Sequence, residues 1–137
     1  MATHLLDKSA WVRLTVPAVY QRWGADLTRG RLAVTGIGML EILVSAQSSA
    51  SFVSVRSALG AMPRLAVTET IIERALDVQQ SMVSRGTHRA PSPADFILAA
   101  CAEANELAVL HFDKDFDLIA EVTGQRSEWI LPHGSVA

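Results

Sequence analysis

The amino-acid sequence predicts an α/β fold: a single three-layer α/β/α domain with a mainly parallel central sheet. Two observations carry that expectation. Apolar runs of strand length alternate along the chain with longer stretches of helical spacing. The chain has 137 residues, half of them apolar, which is enough for one sizeable core and too few for two. Strands separated by helices require crossovers, and right-handed crossovers place helices on both faces of a parallel sheet. No internal repeat, low-complexity tract or long charge block marks a boundary, so residues 1–137 are read as one domain.

His4-Leu5-Leu6 is a short apolar run that ends at Asp7. Pro17 to Arg29 reads as a helix, with Pro17 in its first turn and Gly30 after its end. Arg31 to Thr35 reads as a strand, and Gly38 to Ser45, apolar almost all round, as a buried helix. Helical spacing of Phe52, Val55, Arg56 and Leu59 runs to Gly60, before Pro63 and a short Arg-Leu-Ala-Val. Thr68 to Arg85 is a helix capped by Thr68, and Gly86 to Pro91 a loop. Ser92 as cap and Pro93 in first position open a helix that runs to Asn105. Leu107 to His111 is a strand, Phe116 to Val122 a short helix, and Trp129-Ile-Leu the last strand.

Composition excludes several classes of function. A lone cysteine, Cys101, rules out an intramolecular disulfide framework or a cysteine-rich zinc site, and its apolar surroundings make it core. No window of eighteen uninterrupted apolar residues argues for a membrane span. The opening residues lack a basic segment followed by an apolar stretch, so no signal peptide is read and a cytoplasmic location is expected. Net charge is −2, unlike a typical basic nucleic-acid binder, but ten of the twelve basic residues are arginine. Where the fourteen acids converge matters more than their sum.

Each notable acid has a plain local explanation. Asp7 closes the first strand and suits a helix cap, yet the carboxyl end of a first parallel strand is also where α/β folds gather ligands. Glu41 lies inside Ile37-Gly-Met-Leu-Glu-Ile-Leu-Val, where an ionised side chain needs a metal, a partner arginine, or a helix rotated to expose one edge; the metal reading leads. Asp95 fits a capping box with Ser92, which also turns it toward the same rim. Asp113 and Asp115 follow a strand in His-Phe-Asp-Lys-Asp-Phe-Asp, and their alternate spacing lets both face one side of a turn. Asp117 is read as exposed.

Together these acids make a rim that repels itself unless a divalent cation lies between them. With oxygen ligands alone, Mg²⁺ or Mn²⁺ is favoured over zinc. Such a cluster supports hydrolysis of phosphodiesters or phosphates by a metal-activated water.

Leu-Leu-Asp-Lys-Ser-Ala, Glu41 in its apolar helix, Pro-Ala-Asp-Phe-Ile-Leu-Ala-Ala and Val-Leu-His-Phe-Asp-Lys-Asp-Phe resemble, in order and spacing, the motifs of PIN-domain nucleases. The likeness is greatest to the VapC-type ribonuclease toxins of bacterial toxin–antitoxin pairs. That resemblance implies a Mg²⁺-dependent endoribonuclease, homodimerisation, and inhibition by a cognate antitoxin. It implies that Asp7, Glu41, Asp95 and Asp113 are the catalytic, metal-binding quartet, with Asp115 as a fifth acid and Ser9 supporting Asp7. One position departs: His111 stands where the family often has threonine, which leaves open hydroxyl support of water or metal there. It is read as an ordinary polar strand end, with holding a phosphate or supporting a carboxylate behind the metal as the alternative.

Two other readings remain open on the residues alone. A phosphoaspartyl phosphatase or receiver-like domain would use Asp7 as nucleophile, although Ser9 stands where the phosphatases carry a second aspartate and no adjacent acids end the first strand. A non-catalytic binding module would keep the acids for structure. Arg85 and Arg89 are candidates to grip RNA phosphates, and Trp11, Tyr20 and Trp23 belong to core, dimer surface or antitoxin groove. His4, His88 and His133 lack ligand spacing.

Overall fold

The structure, a computed structural model, describes residues 1–135. Five strands form one parallel sheet: β1 (His4–Leu6), β2 (Leu32–Thr35), β3 (Arg64–Leu65), β4 (Ala108–His111) and β5 (Ser127–Trp129). Their spatial order is β3-β2-β1-β4-β5. The chain therefore starts in the middle, builds outward to β3, then returns to lay β4 on the other side of β1. The strand order reverses between β1 and β4, and at such a switch point the connections leave in opposite directions and open a crevice.

Alternation along the strands divides the core in two. Leu5, Ala33 and Val109 face one layer, packed on α5 (Glu69–Val83), α6 (Pro93–Ala104) and α7 (Asp115–Thr123). Their neighbours Leu6, Leu32, Val34 and Leu110 face the other. There they meet α1 (Lys8–Trp11), α2 (Pro17–Thr28), α3 (Gly36–Leu43) and α4 (Ser49–Gly60). Both faces of the central strands are covered, which explains their unbroken apolar runs. The expected three-layer α/β/α arrangement is the observed one.

The helix starts follow from local chemistry. Thr35, Ser48, Thr68 and Ser92 each accept a backbone N–H from the first turn of the following helix. Gly38 is needed for space: a Cβ there would stand 3.1 Å from Thr35 Oγ1 and close to Leu98. Gly30, at φ +72°, ends the turn between α2 and β2 in a conformation that other residues avoid.

Three expectations are corrected. The helix around Glu41 starts at Gly36 and is not buried all round, since Leu40 and Val44 are 68% and 81% exposed. The last strand is Ser127–Trp129 rather than Trp129–Leu131, because it is the pairing of backbone with Val109–His111, not side-chain apolarity, that sets its limits. Asp117 is half-buried and accepts the Trp129 indole N–H at 3.1 Å. Of the three aromatics left open, Trp23 is core and donates to the Ile130 carbonyl, while Tyr20 is half exposed. No helix of the described residues is long and apolar enough to cross a membrane.

Candidate metal centre

The crevice at the switch point is lined by Asp7, Ser9, Glu41, Asp95, Asp113 and Asp115, around a volume of about 390 Å³. Asp7 follows β1, and its backbone N–H binds the Leu110 carbonyl of β4 at 3.0 Å. Its side chain caps α1, with Oδ2 accepting both the Ser9 backbone N–H and the Ser9 hydroxyl. The same hydroxyl oxygen accepts the Phe112 N–H at 2.8 Å. Ser9 thus ties the carboxyl ends of β1 and β4 together and holds Asp7 between them.

Asp95 sits in the first turn of α6 and closes a reciprocal capping box. Its N–H reaches Ser92 Oγ at 3.2 Å, and its Oδ2 accepts the Ser92 N–H at 2.9 Å. Asp113, in the turn after β4, uses Oδ1 to accept the Asp115 N–H at 2.9 Å. The two explanations offered by the sequence, cap and metal ligand, are therefore compatible. Asp7, Asp95 and Asp113 each spend one oxygen on local backbone and keep the other without a hydrogen bond among the described residues.

Asp95, Asp113 and Asp115 each offer a carboxylate oxygen to a group whose members lie within 4.8 Å of one another. Asp7 and Glu41 line the same cleft outside that tight group. Glu41 is half-buried, not buried as its sequence neighbours suggested, because its helix turns one edge to the cleft.

The electrostatics are those of crowded anions. Burial pushes the Asp95 carboxyl up to about 6, opposed by the Ser92 N–H and reinforced by the charges of Asp7 and Asp113. Asp7 is raised by burial, against the bonds from Ser9 and together with the charge of Asp113. Asp115 is raised by burial and by Asp113. Among the described residues no salt bridge joins these acids or Glu41 to a basic side chain. An all-oxygen, uncompensated set of this kind fits a hard divalent cation.

One neighbour was not singled out by the sequence. Arg13 donates to the Ser9 carbonyl at 2.7 Å and lies 3.9 Å from the centre of the Phe112 ring, bracing the turn that carries Ser9. Its position four residues after Ser9, one helical turn on, was the available signal. His111 is fully buried, and burial lowers its pKa against the opposing pull of Asp117, Asp7 and Asp113. Arg85 is exposed, 3.8 Å from Glu121.

Ser9→Ala takes one donor from Asp7 and the acceptor from Phe112. It is expected to weaken divalent-metal binding by roughly 10–100-fold, the usual effect of removing a group that orients a ligand. Calorimetric titration with Mn²⁺ measures this; unchanged affinity would show that Asp7 is oriented without Ser9.

Comparison with known proteins agrees with this geometry. The PIN domain family model matches residues 4–122. A ribonuclease of Mycobacterium tuberculosis, VapC2, is 44% identical over 126 residues, covering 90% of this chain and 89% of the relative. Another from that species, VapC18, is 35% identical, covering 96% and 97%. Among solved structures, the DNA-bound VapBC complex from Salmonella typhimurium includes a chain matching with a TM-score of 0.78 at 18% identity, over 96% of this chain and all of that one. The VapBC2 complex from Rickettsia felis matches with a TM-score of 0.75 at 10% identity, covering 93% and 98%.

Proposed function

The chain belongs to the PIN-domain family, and from that premise we propose that it is a metal-dependent endoribonuclease, the toxin of a toxin–antitoxin pair. The observation that carries the proposal is the convergence of five acids, from four separate stretches of chain, on one cleft at the switch point. Relatives that are 35–44% identical over nearly their whole length and are named ribonucleases support it.

In this reading Asp7, Glu41, Asp95 and Asp113 form the catalytic metal-binding set, with Asp115 as the fifth acid and Ser9 in support. The ion is Mg²⁺, for which Mn²⁺ substitutes. Bound there, it would supply a water of lowered pKa and offset the charge that builds on the phosphodiester oxygens. The protein's part is placement. Ser9 holds Asp7 at one oxygen, Ser92 holds Asp95 at one oxygen, and the Asp115 N–H holds Asp113 at one oxygen. Asp95, pushed up to about 6 by burial, would hold the ion in its ionised form, which dominates at neutral pH. Lys8, on the cleft wall, meets an anionic backbone. No side chain is assigned as a nucleophile.

The test is cleavage of a defined RNA by the purified chain in Mg²⁺, its loss with EDTA, and its return with excess Mg²⁺. RNA left intact at all Mg²⁺ and Mn²⁺ concentrations would overturn the nuclease reading.

The same reading takes the chain as one nuclease unit, working in the cytoplasm as a homodimer and restrained by a cognate antitoxin. Its structural neighbours are toxin–antitoxin complexes, which supports the last point. The antitoxin segment should be amphipathic, with apolar anchors near Trp11, Tyr20 or Met39 and a lysine or arginine aimed at the carboxylates. Such a cation competes with the metal, so inhibition should weaken as Mg²⁺ rises at constant ionic strength. A cleavage assay with the product of the neighbouring reading frame measures this. Inhibition independent of Mg²⁺ would rule out metal competition.

A further inference from the structure

At the end of β4 the sheet stops supplying partners, and three backbone donors of the turn are taken up by side chains instead. The Phe112 N–H goes to Ser9 Oγ at 2.8 Å, the Asp113 N–H to His111 Nδ1 at 3.1 Å, and the Asp115 N–H to Asp113 Oδ1 at 2.9 Å. The last two are the same local device used twice: a side chain accepts the backbone N–H two residues on, as Asn and Asp commonly do in turns. A histidine in that role is unusual, and two features show that the ring is built in.

It is fully buried, with ring centres 5.0 Å from both Phe116 and Trp129, so packing fixes the direction of Nδ1. Its own carbonyl is pinned by the Ile130 N–H at 2.7 Å, so its backbone is fixed as well. An aspartate here would offer the same acceptor but would bury one more negative charge beside the crowded acids. A neutral imidazole avoids that. Because it accepts from an N–H, Nδ1 carries no proton, and the ring hydrogen must lie on Nε2.

We propose that His111 is a positioning residue for the metal centre: its bare Nδ1 captures the Asp113 N–H and thereby sets the Asp113 carboxylate toward the cleft. This rests on the metal-dependent nuclease reading. It gives the ring a definite task at the position where the related motif often carries threonine.

The test compares His111→Asn with His111→Gln. The asparagine Oδ1 is attached like Nδ1 and restores the acceptor; the glutamine amide lies one bond farther out and cannot take the same place. Both lose the ring, so both should lose comparable thermal stability. Roughly a 10–100-fold loss of Mn²⁺ affinity is expected for His111→Gln, against about threefold or less for His111→Asn. In the wild-type, metal-free protein, ¹⁵N NMR should show a coupling through the hydrogen bond between the Asp113 amide nitrogen and His111 Nδ1, with Nε2 protonated. Equal Mn²⁺ affinities of the two variants, or a wild-type ring protonated on Nδ1, overturn this inference alone. A wild-type chain that binds no Mn²⁺ overturns the nuclease reading and this inference with it.

Discussion

Asp7→Asn is expected to lower RNA cleavage on the order of 10³-fold, as for removal of one preorganised charge-stabilising group, while the protein stays folded. The separation of the two effects follows from what Asp7 does with each oxygen. As a cap it accepts from the Ser9 N–H and hydroxyl, and asparagine caps a helix about as well as aspartate. As a member of the acidic cleft it contributes charge, which asparagine lacks. Burial already raises the Asp7 pKa in the metal-free protein. Neutralising it therefore relieves repulsion, and the melting temperature without metal should hold or rise slightly. Initial rates on a defined RNA, with a melting curve of the same preparation, check both halves. Cleavage within tenfold of wild type from a natively melting variant would remove Asp7 from the site.

The contrast between Asp7 and His111 shows what a sequence carries. Asp7, Asp95 and Asp113 stand at strand ends and helix starts, and those places are readable because apolar runs and capping residues mark them. Once the strands are parallel, all their carboxyl ends share one rim, so the acids meet without any long-range information. Glu41 is different. An apolar helix looks the same in sequence whether it is enclosed or has a bare face, and α3 proves to expose Leu40, with Val44 exposed just past its end. The limits of β5 escaped for a related reason: Ser127 and Glu128 join through backbone pairing at an edge, where polar side chains are no obstacle. The task of His111 escaped because it depends on a ring rotamer fixed by Phe116, five positions along, and by Trp129, eighteen positions along, and neither contact leaves a pattern in the sequence.

The metal-free protein is expected to lose stability as pH rises from about 4 to about 6.5, and Mg²⁺ to cancel or reverse that slope. The sign follows from proton counts. In the folded chain Asp95 holds its proton up to about pH 6, whereas an unfolded aspartate releases it near 3.9. Between those values the native state binds more protons than the unfolded one, so the free energy of unfolding falls with rising pH and levels off above the folded pKa. Asp7 and Asp115, also raised, act in the same direction. His111, lowered by burial, acts in the opposite one as pH rises toward its unfolded value, so the net fall is that of the three carboxyls less the imidazole. Asp95 is only half-buried, and screening limits its share to about 1–2 kcal/mol. Mg²⁺ binds only the deprotonated cluster, so its apparent affinity climbs through the same window. At a concentration 100 times its dissociation constant it adds about 2.7 kcal/mol, or on the order of 10 °C in melting temperature for a chain of this size. Calorimetry from pH 5 to 8, in EDTA and in Mg²⁺ at one ionic strength, should give two curves that diverge with pH. Asp95→Asn should flatten the EDTA curve, because the group whose proton the fold retains is gone. A metal-free melting temperature that climbs through pH 5–7 even in His111→Asn, which removes the opposing imidazole, would mean that the cleft's carboxylates are stabilised as anions by the protein itself, leaving no unmet charge for a cation to satisfy.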